Sequence, residues 1–460
     1  MSLTDGQLGQ VVVALVALLC AAHGCGYLFA RARQPRVVGE IVGGLLLGPT
    51  LFGLVLPHQQ AAVFPKHGPT PIVLAAVYQL GLLLLMHSAG AEVRSLLQRG
   101  ERRTATFITG TGTLLPFAFG LGLLQLIDLG SYRGPAGGQT AFLIVFASAM
   151  AVTSIPVISR IMLDLGILST PFARIVLGAA VMEDIPLYVM LAIALGLAQA
   201  DQGQLTGLPS ILGVAPGGHW AVSYHVVATL TFFAVFLLCG PSLFRLLVGF
   251  RLNFVNRISP IGFHLVFMLL VTGLCTFIGV TPLFGAFVAG MAASSASDDP
   301  AQARAAIKSF SFAFFVPIYF AIVGIKLDLV RHFDPLFFLS LLALACVAKA
   351  LSVYAGARLA GESASTSKNL AVAMNARGGP GIVLASVAYD AGIIKEELYT
   401  ALVLLAIVTS MLAGSWLERV VRSGKPLREP TTFAPGAPRR LPRPLGGRRP
   451  QPSADPAAPR

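Results

Sequence analysis

Long apolar runs dominate this chain, and short polar connections separate them. Most runs contain enough residues to cross a hydrocarbon core of about 30 Å as a helix, although the ninth is short. The pattern therefore predicts an all-α polytopic membrane protein with 13 transmembrane helices. The predicted spans are approximately 11–30, 37–56, 70–91, 104–129, 140–164, 171–199, 223–250, 260–279, 281–297, 308–329, 334–360, 367–392 and 396–420.

Basic residues divide the connections between spans into two classes. The connections after odd-numbered spans, leaving out the C-terminal tail, carry 16 Lys and Arg residues, whereas those after even-numbered spans carry five. Because basic residues concentrate on the cytoplasmic side of membrane proteins, this asymmetry places the N-terminus outside and the C-terminus in the cytoplasm. The sequence therefore predicts a multi-pass protein of the cell membrane with that orientation.

Composition agrees with a protein surrounded by a lipid bilayer. Hydrophobic residue types make up 55% and charged types 12%, with a mean hydropathy of +0.77, whereas soluble domains average roughly 25% charged residues. The net charge of +13 is typical of nucleic-acid binding, but residues 425–460 alone hold eight Lys and Arg against two acids. That segment has ten prolines, so we expect a disordered Pro/Arg-rich cytoplasmic tail at 423–460 and no nucleic-acid partner.

Three segments of the first half recur in the same order in the second half. GEIVGGLLLG (39–48) resembles GAFVAGMAAS (285–294), LLLLMHSAGAEVRSL (82–96) resembles FFVPIYFAIVGIKLDLV (314–330), and AMAVTSIPVISRIMLDLGIL (149–168) resembles AMNARGGPGIVLASVAYDAGII (373–394). Each pair lies seven spans apart, and because seven is odd, the matched segments cross the membrane in opposite directions. This order predicts the inverted-topology repeat of many secondary transporters.

Four ionisable residues lie near the middle of predicted spans, namely Glu183, Asp184, Lys349 and Arg377. A charge at the bilayer centre costs about 2.5–3.5 kcal/mol on insertion scales, so such residues face the protein interior or a water-filled cavity. One interpretation is a set of salt bridges that only hold helices together. Adjacent acids argue against it, because they lie ~100° apart around a helix and one Lys does not readily neutralise both. We therefore expect the other acid to bind a cation or a proton.

Helix-breaking residues interrupt the fifth and twelfth predicted spans at mid-depth. The fifth contains Thr153-Ser154-Ile155-Pro156, and the twelfth contains Asn375-Ala376-Arg377-Gly378-Gly379-Pro380-Gly381. A proline kink explains the fifth span equally well, but three glycines and a proline within four residues predict a real break in the twelfth. Paired breaks in the two halves of a repeat indicate the binding site of a transporter.

These segments together resemble the bacterial monovalent cation:proton antiporters, in the second large branch of that family, which includes Na⁺/H⁺ and K⁺/H⁺ exchangers and plant cation exchangers. The resemblance covers about residues 10–420. It rests on VVGEIVGGLLLGPTLFG, AVTSIPVISRIMLDLGIL, AAVMEDIPLYVMLAIA, FFVPIYFAIVGIKLDL and NARGGPGIVLASVA, in that order.

The resemblance implies an architecture as well as a family. It implies a homodimer of 13-helix membrane units at 1–422, with inverted repeats and two discontinuous helices that cross at their unwound middles. The implied parts are a dimerisation part at about 11–91 and 260–329, a core or transport part at about 104–199 and 334–420, and a linker helix at about 223–250.

The resemblance also implies roles for individual residues. Asp184 takes the place of the cation and proton carrier, and would bind Na⁺ or K⁺ directly. Glu183 and Lys349 take the places of the paired neighbour and its partner. Thr153 and Ser154 would supply oxygen ligands or steady the helix crossing. The remaining polar residues at the crossing are Asn375 and Arg377.

The implied function is a secondary antiporter that exchanges Na⁺, or alternatively K⁺, for H⁺ by elevator-type alternating access. The acidic pair is Glu-Asp here, whereas electrogenic relatives often carry Asp-Asp and electroneutral ones Asn-Asp or Gln-Asp, so the stoichiometry stays open. Two alternatives are a Na⁺-coupled symporter, in which Arg377 would bind an organic anion, and a cation channel. No catalytic constellation occurs in the sequence, so we expect neither an enzyme nor a cofactor.

Overall fold

The structure is a computed structural model of the 460-residue chain. It describes residues 3–32, 34–95, 101–201, 207–214, 219–250, 253–294 and 301–429. Within these ranges the chain forms 20 α-helices, a short 3₁₀ turn, one π-helical segment at Ser311–Phe315 and a single isolated bridge between Arg133 and Ile394. The all-α prediction is therefore confirmed.

The first half of the chain contains ten helices. They are α1 (Asp5–Arg31), α2 (Arg36–Leu47), α3 (Phe52–Val55), α4 (Pro57–Val63), α5 (Pro69–Ser95), α6 (Arg102–Leu126), α7 (Gln139–Ala151), α8 (Ile155–Asp164), α9 (Pro171–Asp201) and α10 (Leu208–Ile211).

The second half contains ten more. They are α11 (His219–Gly249), α12 (Phe254–Ile258), α13 (Pro260–Phe277), α14 (Pro282–Ala293), α15 (Ala301–Phe310), α16 (Val316–Ile325), α17 (Pro335–Leu359), α18 (Ala364–Ala373), α19 (Gly378–Asp390) and α20 (Glu396–Arg422).

The number of full-length spans is smaller than the sequence pattern predicts. In the described part of the chain, ten helical segments are long and apolar enough to cross a membrane, or eleven when the bent pair α18 and α19 counts as one. The predicted spans 140–164 and 281–297 correspond to shorter helices instead. A break divides the first into α7 and α8, of 13 and 10 residues, and α14 has only 12. A hydropathy run does not reveal where the backbone leaves the helix, so the count of 13 is corrected to 10 or 11.

Glycine residues allow two pairs of helices to cross with their backbones in contact. A Cβ atom on Gly44 of α2 would overlap the carbonyl oxygen of Ala321 on α16, and one on Gly324 of α16 would overlap the carbonyl oxygen of Ile41 on α2. Any side chain larger than hydrogen would therefore force α2 and α16 apart.

The crossing between α5 and α14 has the same construction. A Cβ atom on Gly90 would overlap the carbonyl oxygen of Phe287, and one on Gly290 would overlap that of His87. Under the sequence repeat, Gly44 matches Gly290 and Gly90 matches Gly324. The α2–α16 crossing is thus the counterpart of the α14–α5 crossing.

Two interrupted helices cross each other in the interior. Helix α7 ends at Ala151 and α8 begins at Ile155, while α18 ends at Ala373 and α19 begins at Gly378. The second pair is bent by 40°. The two breaks are joined by a backbone hydrogen bond of 2.6 Å, in which Ser154 N–H donates to Ala376 O. Both predicted helix breaks are therefore present.

The first residues of the predicted tail are docked rather than disordered. Arg428 donates to the buried carboxylate of Glu362 at 2.8 Å, and Asn369 donates to the carbonyl oxygen of Leu427. A buried carboxylate is stable only with a charged or hydrogen-bonding partner, and Arg428 supplies it. These contacts contradict disorder at Leu427 and Arg428, and the rest of the tail prediction, residues 430–460, lies outside the described residues.

Candidate ion-binding site

Helix α9 places the two adjacent acids deep inside the protein. Glu183 is 3% exposed and Asp184 is 1% exposed. Consecutive residues of a helix project ~100° apart, so the two carboxylates face different neighbours.

Glu183 forms a buried ion pair with Lys349 of α17. The Lys349 ammonium donates to Glu183 Oε2 at 2.8 Å, to the carbonyl oxygen of Gly112 on α6 at 2.8 Å, and to that of Ala151 on α7 at 2.5 Å. An ammonium has three N–H donors, and these three acceptors use all of them. The pair is therefore complete as a hydrogen-bonded unit.

Arg377, between α18 and α19, is 1% exposed, and its guanidinium is held by carbonyl and amide oxygens. Its guanidinium donates to the carbonyl oxygens of Ala149, Met150 and Ala345, and to both oxygens of Asn375. These bonds occupy all five N–H donors of the side chain. In these contacts Lys349 pairs with an acid, whereas Arg377 is held by carbonyl and amide oxygens.

Both buried cations lie at the same helix end. Lys349 and Arg377 donate to carbonyl oxygens in the last turn of α7. The C-terminus of a helix carries a partial negative charge and unsatisfied carbonyl groups. Because α7 ends in the protein interior, these two side chains replace the water that would otherwise solvate it.

The polar side chains predicted at the crossing mainly hold the two breaks together. Thr153 Oγ1 donates to Met374 O at 2.7 Å, and Ser154 Oγ accepts from Gly379 N–H at 3.2 Å. Asn375 Nδ2 donates to the carbonyl oxygen of Cys346 on α17 at 3.2 Å. Of the two roles considered for Thr153 and Ser154, this geometry favours steadying the crossing.

Asp184 faces a small cavity with apolar walls. The cavity has a volume of about 30 Å³, whereas one water molecule needs roughly 10–15 Å³ on this measure. Its lining combines residues of the predicted dimerisation and transport parts: Val37, Leu85, Met86, Ala89, Phe312 and Phe320 with Ile155, Asp184, Tyr188, Gly379, Pro380 and Val383. Asp184 therefore lies where the two predicted parts meet.

Sequence reasoning missed the backbone acceptors of the site. Gly112 and Ala151 contribute through carbonyl oxygens, which leave no mark in a list of polar side chains. One signal was available for Gly112, because Pro116 lies four residues later in the same helix and cannot donate to it.

The chain matches known proteins along almost its full length. Residues 14–423 match the family described as "Sodium/hydrogen exchanger, transmembrane". The chain is 27% identical over 418 residues to the Na⁺/H⁺ antiporter NhaS4 of Synechocystis sp., covering 89% of this chain and 97% of that protein. It is 24% identical to the Na⁺/H⁺-K⁺ antiporter GerN of Bacillus cereus, covering 88% of this chain and 94% of that protein.

Some relatives are much longer. The K⁺/H⁺ antiporter 1 of Saccharomyces cerevisiae is 27% identical over 398 residues, which cover 84% of this chain but 43% of that protein. The chain spans about half the length of the yeast and plant relatives that it matches. What those relatives do as whole proteins therefore does not transfer directly.

A solved structure shares the fold. The sodium proton antiporter MjNhaP1 from Methanocaldococcus jannaschii superimposes with a TM-score of 0.63 at 16% identity, over 90% of this chain and 98% of that chain. The family match confirms the prediction of a transporter rather than an enzyme. The chain belongs to the transmembrane sodium/hydrogen exchanger family, that is, to the monovalent cation:proton antiporters.

Proposed function

We propose that this protein exchanges Na⁺ for H⁺ across the membrane, with K⁺ as the alternative cation, and that Asp184 carries both ions in turn. The observation that carries the proposal is the contrast within the acidic pair. Glu183 is neutralised by Lys349 at 2.8 Å, whereas Asp184 faces a cavity between the two predicted parts.

A small hard cation would need oxygen ligands, and among the side chains that line the cavity Asp184 and Tyr188 carry oxygen. Alkali cations, like other hard cations, take oxygen ligands such as carboxylate, carbonyl and water. A cavity of about 30 Å³ has room for one or two waters, so a bound cation would take its other ligands from the protein. Proton and cation would then compete for the Asp184 carboxylate, and only the neutralised site would cross the membrane.

We propose an elevator movement of the transport part against the dimerisation part. The apolar cavity wall supports it, because side chains such as Phe312 and Phe320 can slide past Asp184 without breaking hydrogen bonds. Helix α11 packs against both α9 and α14, which is consistent with a linker between the two parts. The glycine crossings α2–α16 and α5–α14 would keep the dimerisation part rigid while the other moves.

Three further parts of the proposal rest mainly on sequence. The equivalent glycine crossings support the inverted-topology repeats. The asymmetry of basic residues supports an N-terminus outside and a C-terminus in the cytoplasm. The homodimer is proposed from the family resemblance, with spans of the dimerisation part at the subunit interface.

The hydrogen bonds of Arg377 favour exchange over organic-anion symport. All five N–H donors of Arg377 already have acceptors within the protein. An organic anion would have to displace these carbonyl groups, which would leave the C-terminal end of α7 unsatisfied.

Proteoliposomes loaded with a pH-sensitive dye test the function. Under clamped voltage, addition of Na⁺ to the wild-type protein should cause saturable proton release, with Li⁺ and K⁺ titrated in parallel. Asp184→Asn should release none. Wild-type proton release that needs an organic solute, or single-channel currents without a counter-ion, would overturn exchange. Normal exchange by Asp184→Asn would overturn the role of Asp184 alone.

A further inference from the structure

Gly112 of α6 offers a carbonyl oxygen that its own helix does not use. In a regular α-helix the carbonyl of residue 112 accepts from the N–H of residue 116. Residue 116 is a proline within α6 and has no N–H. The freed oxygen instead accepts from the Lys349 ammonium at 2.8 Å.

Gly112 also leaves space that the Glu183 carboxylate fills. A Cβ atom on Gly112 would lie 2.8 Å from Glu183 Oε1 and 3.1 Å from Val353 Cγ2. The first distance is shorter than van der Waals contact allows, so even alanine would displace the carboxylate. The position of Glu183 Oε1 therefore depends on the shape of this space.

We propose that Gly112 and Pro116 form a notch that fits a glutamate at position 183 and fixes the position of the Glu183–Lys349 pair. This inference rests on the exchange function proposed above. Pro116 frees the carbonyl that fixes Lys349, and Gly112 gives room for the longer acid. Both are positioning residues, since neither touches the transported ion.

The notch fits an acidic side chain of one particular length. An aspartate at position 183 would end one carbon–carbon bond earlier, about 1.5 Å, and would withdraw from the space above Gly112. Alanine at 112 and aspartate at 183 are therefore expected to compensate each other. With alanine at 112 and glutamate at 183, the displaced carboxylate would move relative to Lys349 and alter the field at Asp184.

Kinetics of four variants in proteoliposomes test the notch. Gly112→Ala should change the apparent KM for Na⁺ or the maximal rate by at least about 10-fold, because a group misplaced by an ångström costs up to ~100-fold. Gly112→Ala/Glu183→Asp should recover most of that loss. Pro116→Ala restores a donor to the Gly112 carbonyl and should give a smaller change of the same sign.

Gly110→Ala is the matched control. It lies on the same helix with nothing within 4 Å of a Cβ atom, and should stay within about twofold of the wild type, as surface substitutions usually do. Equal behaviour of Gly112→Ala and Gly110→Ala, or no rescue by Glu183→Asp, overturns the notch.

Thermal unfolding in detergent separates this inference from the exchange function. Gly112→Ala should lower the unfolding temperature with Glu183 present and much less with Asp at 183. The coupling between positions 112 and 183 can be measured even if no cation drives proton release. That result would overturn the proposed exchange function but not the notch. If Gly112→Ala folds only when it is combined with Glu183→Asp, the notch is supported. If it folds neither alone nor together with Glu183→Asp, the notch is overturned.

Discussion

The two neighbouring acids of α9 are equally buried but have opposite surroundings. Glu183 meets an ammonium that is also held by two backbone carbonyls. Asp184 lines a cavity whose walls are mostly apolar and come from both predicted parts of the protein. Burial therefore does not distinguish the two acids. The difference lies in the side chains around them, an ammonium for Glu183 and a mostly apolar wall for Asp184.

The largest expected effect separates the two acids by function. Asp184→Asn should reduce the maximal exchange rate by at least about 100-fold, a difference of ~2.7 kcal/mol, because the carboxylate that would bind both ions is gone. Glu183→Gln should retain measurable though reduced Na⁺-driven proton release, because it keeps the Asp184 carboxylate and changes only the charge beside it. The measurement is dye response per reconstituted protein, with folding checked by size-exclusion chromatography. Equal losses of exchange rate in Asp184→Asn and Glu183→Gln would show that the two acids do not differ in function.

The next largest effect concerns the contribution of the Glu183–Lys349 pair to the stability of the protein. Lys349→Met or Glu183→Gln alone should each destabilise the protein by about 3–5 kcal/mol, because each leaves a buried charge or its acceptors without a partner. The double variant should lose less than the sum of the two. Thermal unfolding of all four proteins in the same detergent gives the coupling, and strict additivity would show that the pair is not a unit.

A smaller effect, on cation preference, is expected from a substitution in the apolar wall of the cavity beside Asp184. Phe312→Ala enlarges the cavity and should admit a cation with more of its water. The preference between Na⁺ and K⁺, expressed as the ratio of their apparent KM values, should then narrow by about 3–10-fold, or ~0.6–1.4 kcal/mol. An unchanged ratio would indicate that the cavity seen here does not contact the transported ion. Phe310→Ala is the control, because Phe310 is close in sequence but more exposed, at 62% against 36% for Phe312, and does not line the cavity.

The smallest effect comes from an ion pair at the surface. Arg422 and Glu418 lie one turn apart on α20 with the Arg422 side chain 65% exposed, at 2.7 Å. Exposed pairs of this spacing contribute about 0.3–0.5 kcal/mol, so Glu418→Gln should hardly shift thermal unfolding. A loss of stability as large as that of Glu183→Gln would mean that burial does not control how much an ion pair contributes to stability.

Much of the site was predictable from residue types. Glu183, Asp184, Lys349 and Arg377 stand out because charge is rare in apolar spans and costly there. The pairing of Lys349 with Glu183 was implied by the family resemblance, and the structure has the contact at 2.8 Å. Arg377 donates to carbonyl groups at the end of α7, and residue types alone do not reveal such acceptors.

Other features were out of reach of the sequence pattern. Hydropathy counted 13 spans, since it registers apolar residues and not the break between α7 and α8. The docking of Arg428 on Glu362 was also missed, because a proline-rich and basic composition says nothing about one buried carboxylate 66 residues away in sequence.

The sequence by itself determined the all-helical membrane class, the family and the identity of the buried charges, because the cost of placing polar groups in lipid is local and shows in residue types. Only the tertiary structure decided which charges meet. The carbonyl oxygens of Gly112 and Ala151, the overlap that Gly112 avoids with Glu183, and the cavity beside Asp184 all depend on segments far apart in the chain. Backbone groups are the same in every residue, so their availability is set by how helices end, break and cross.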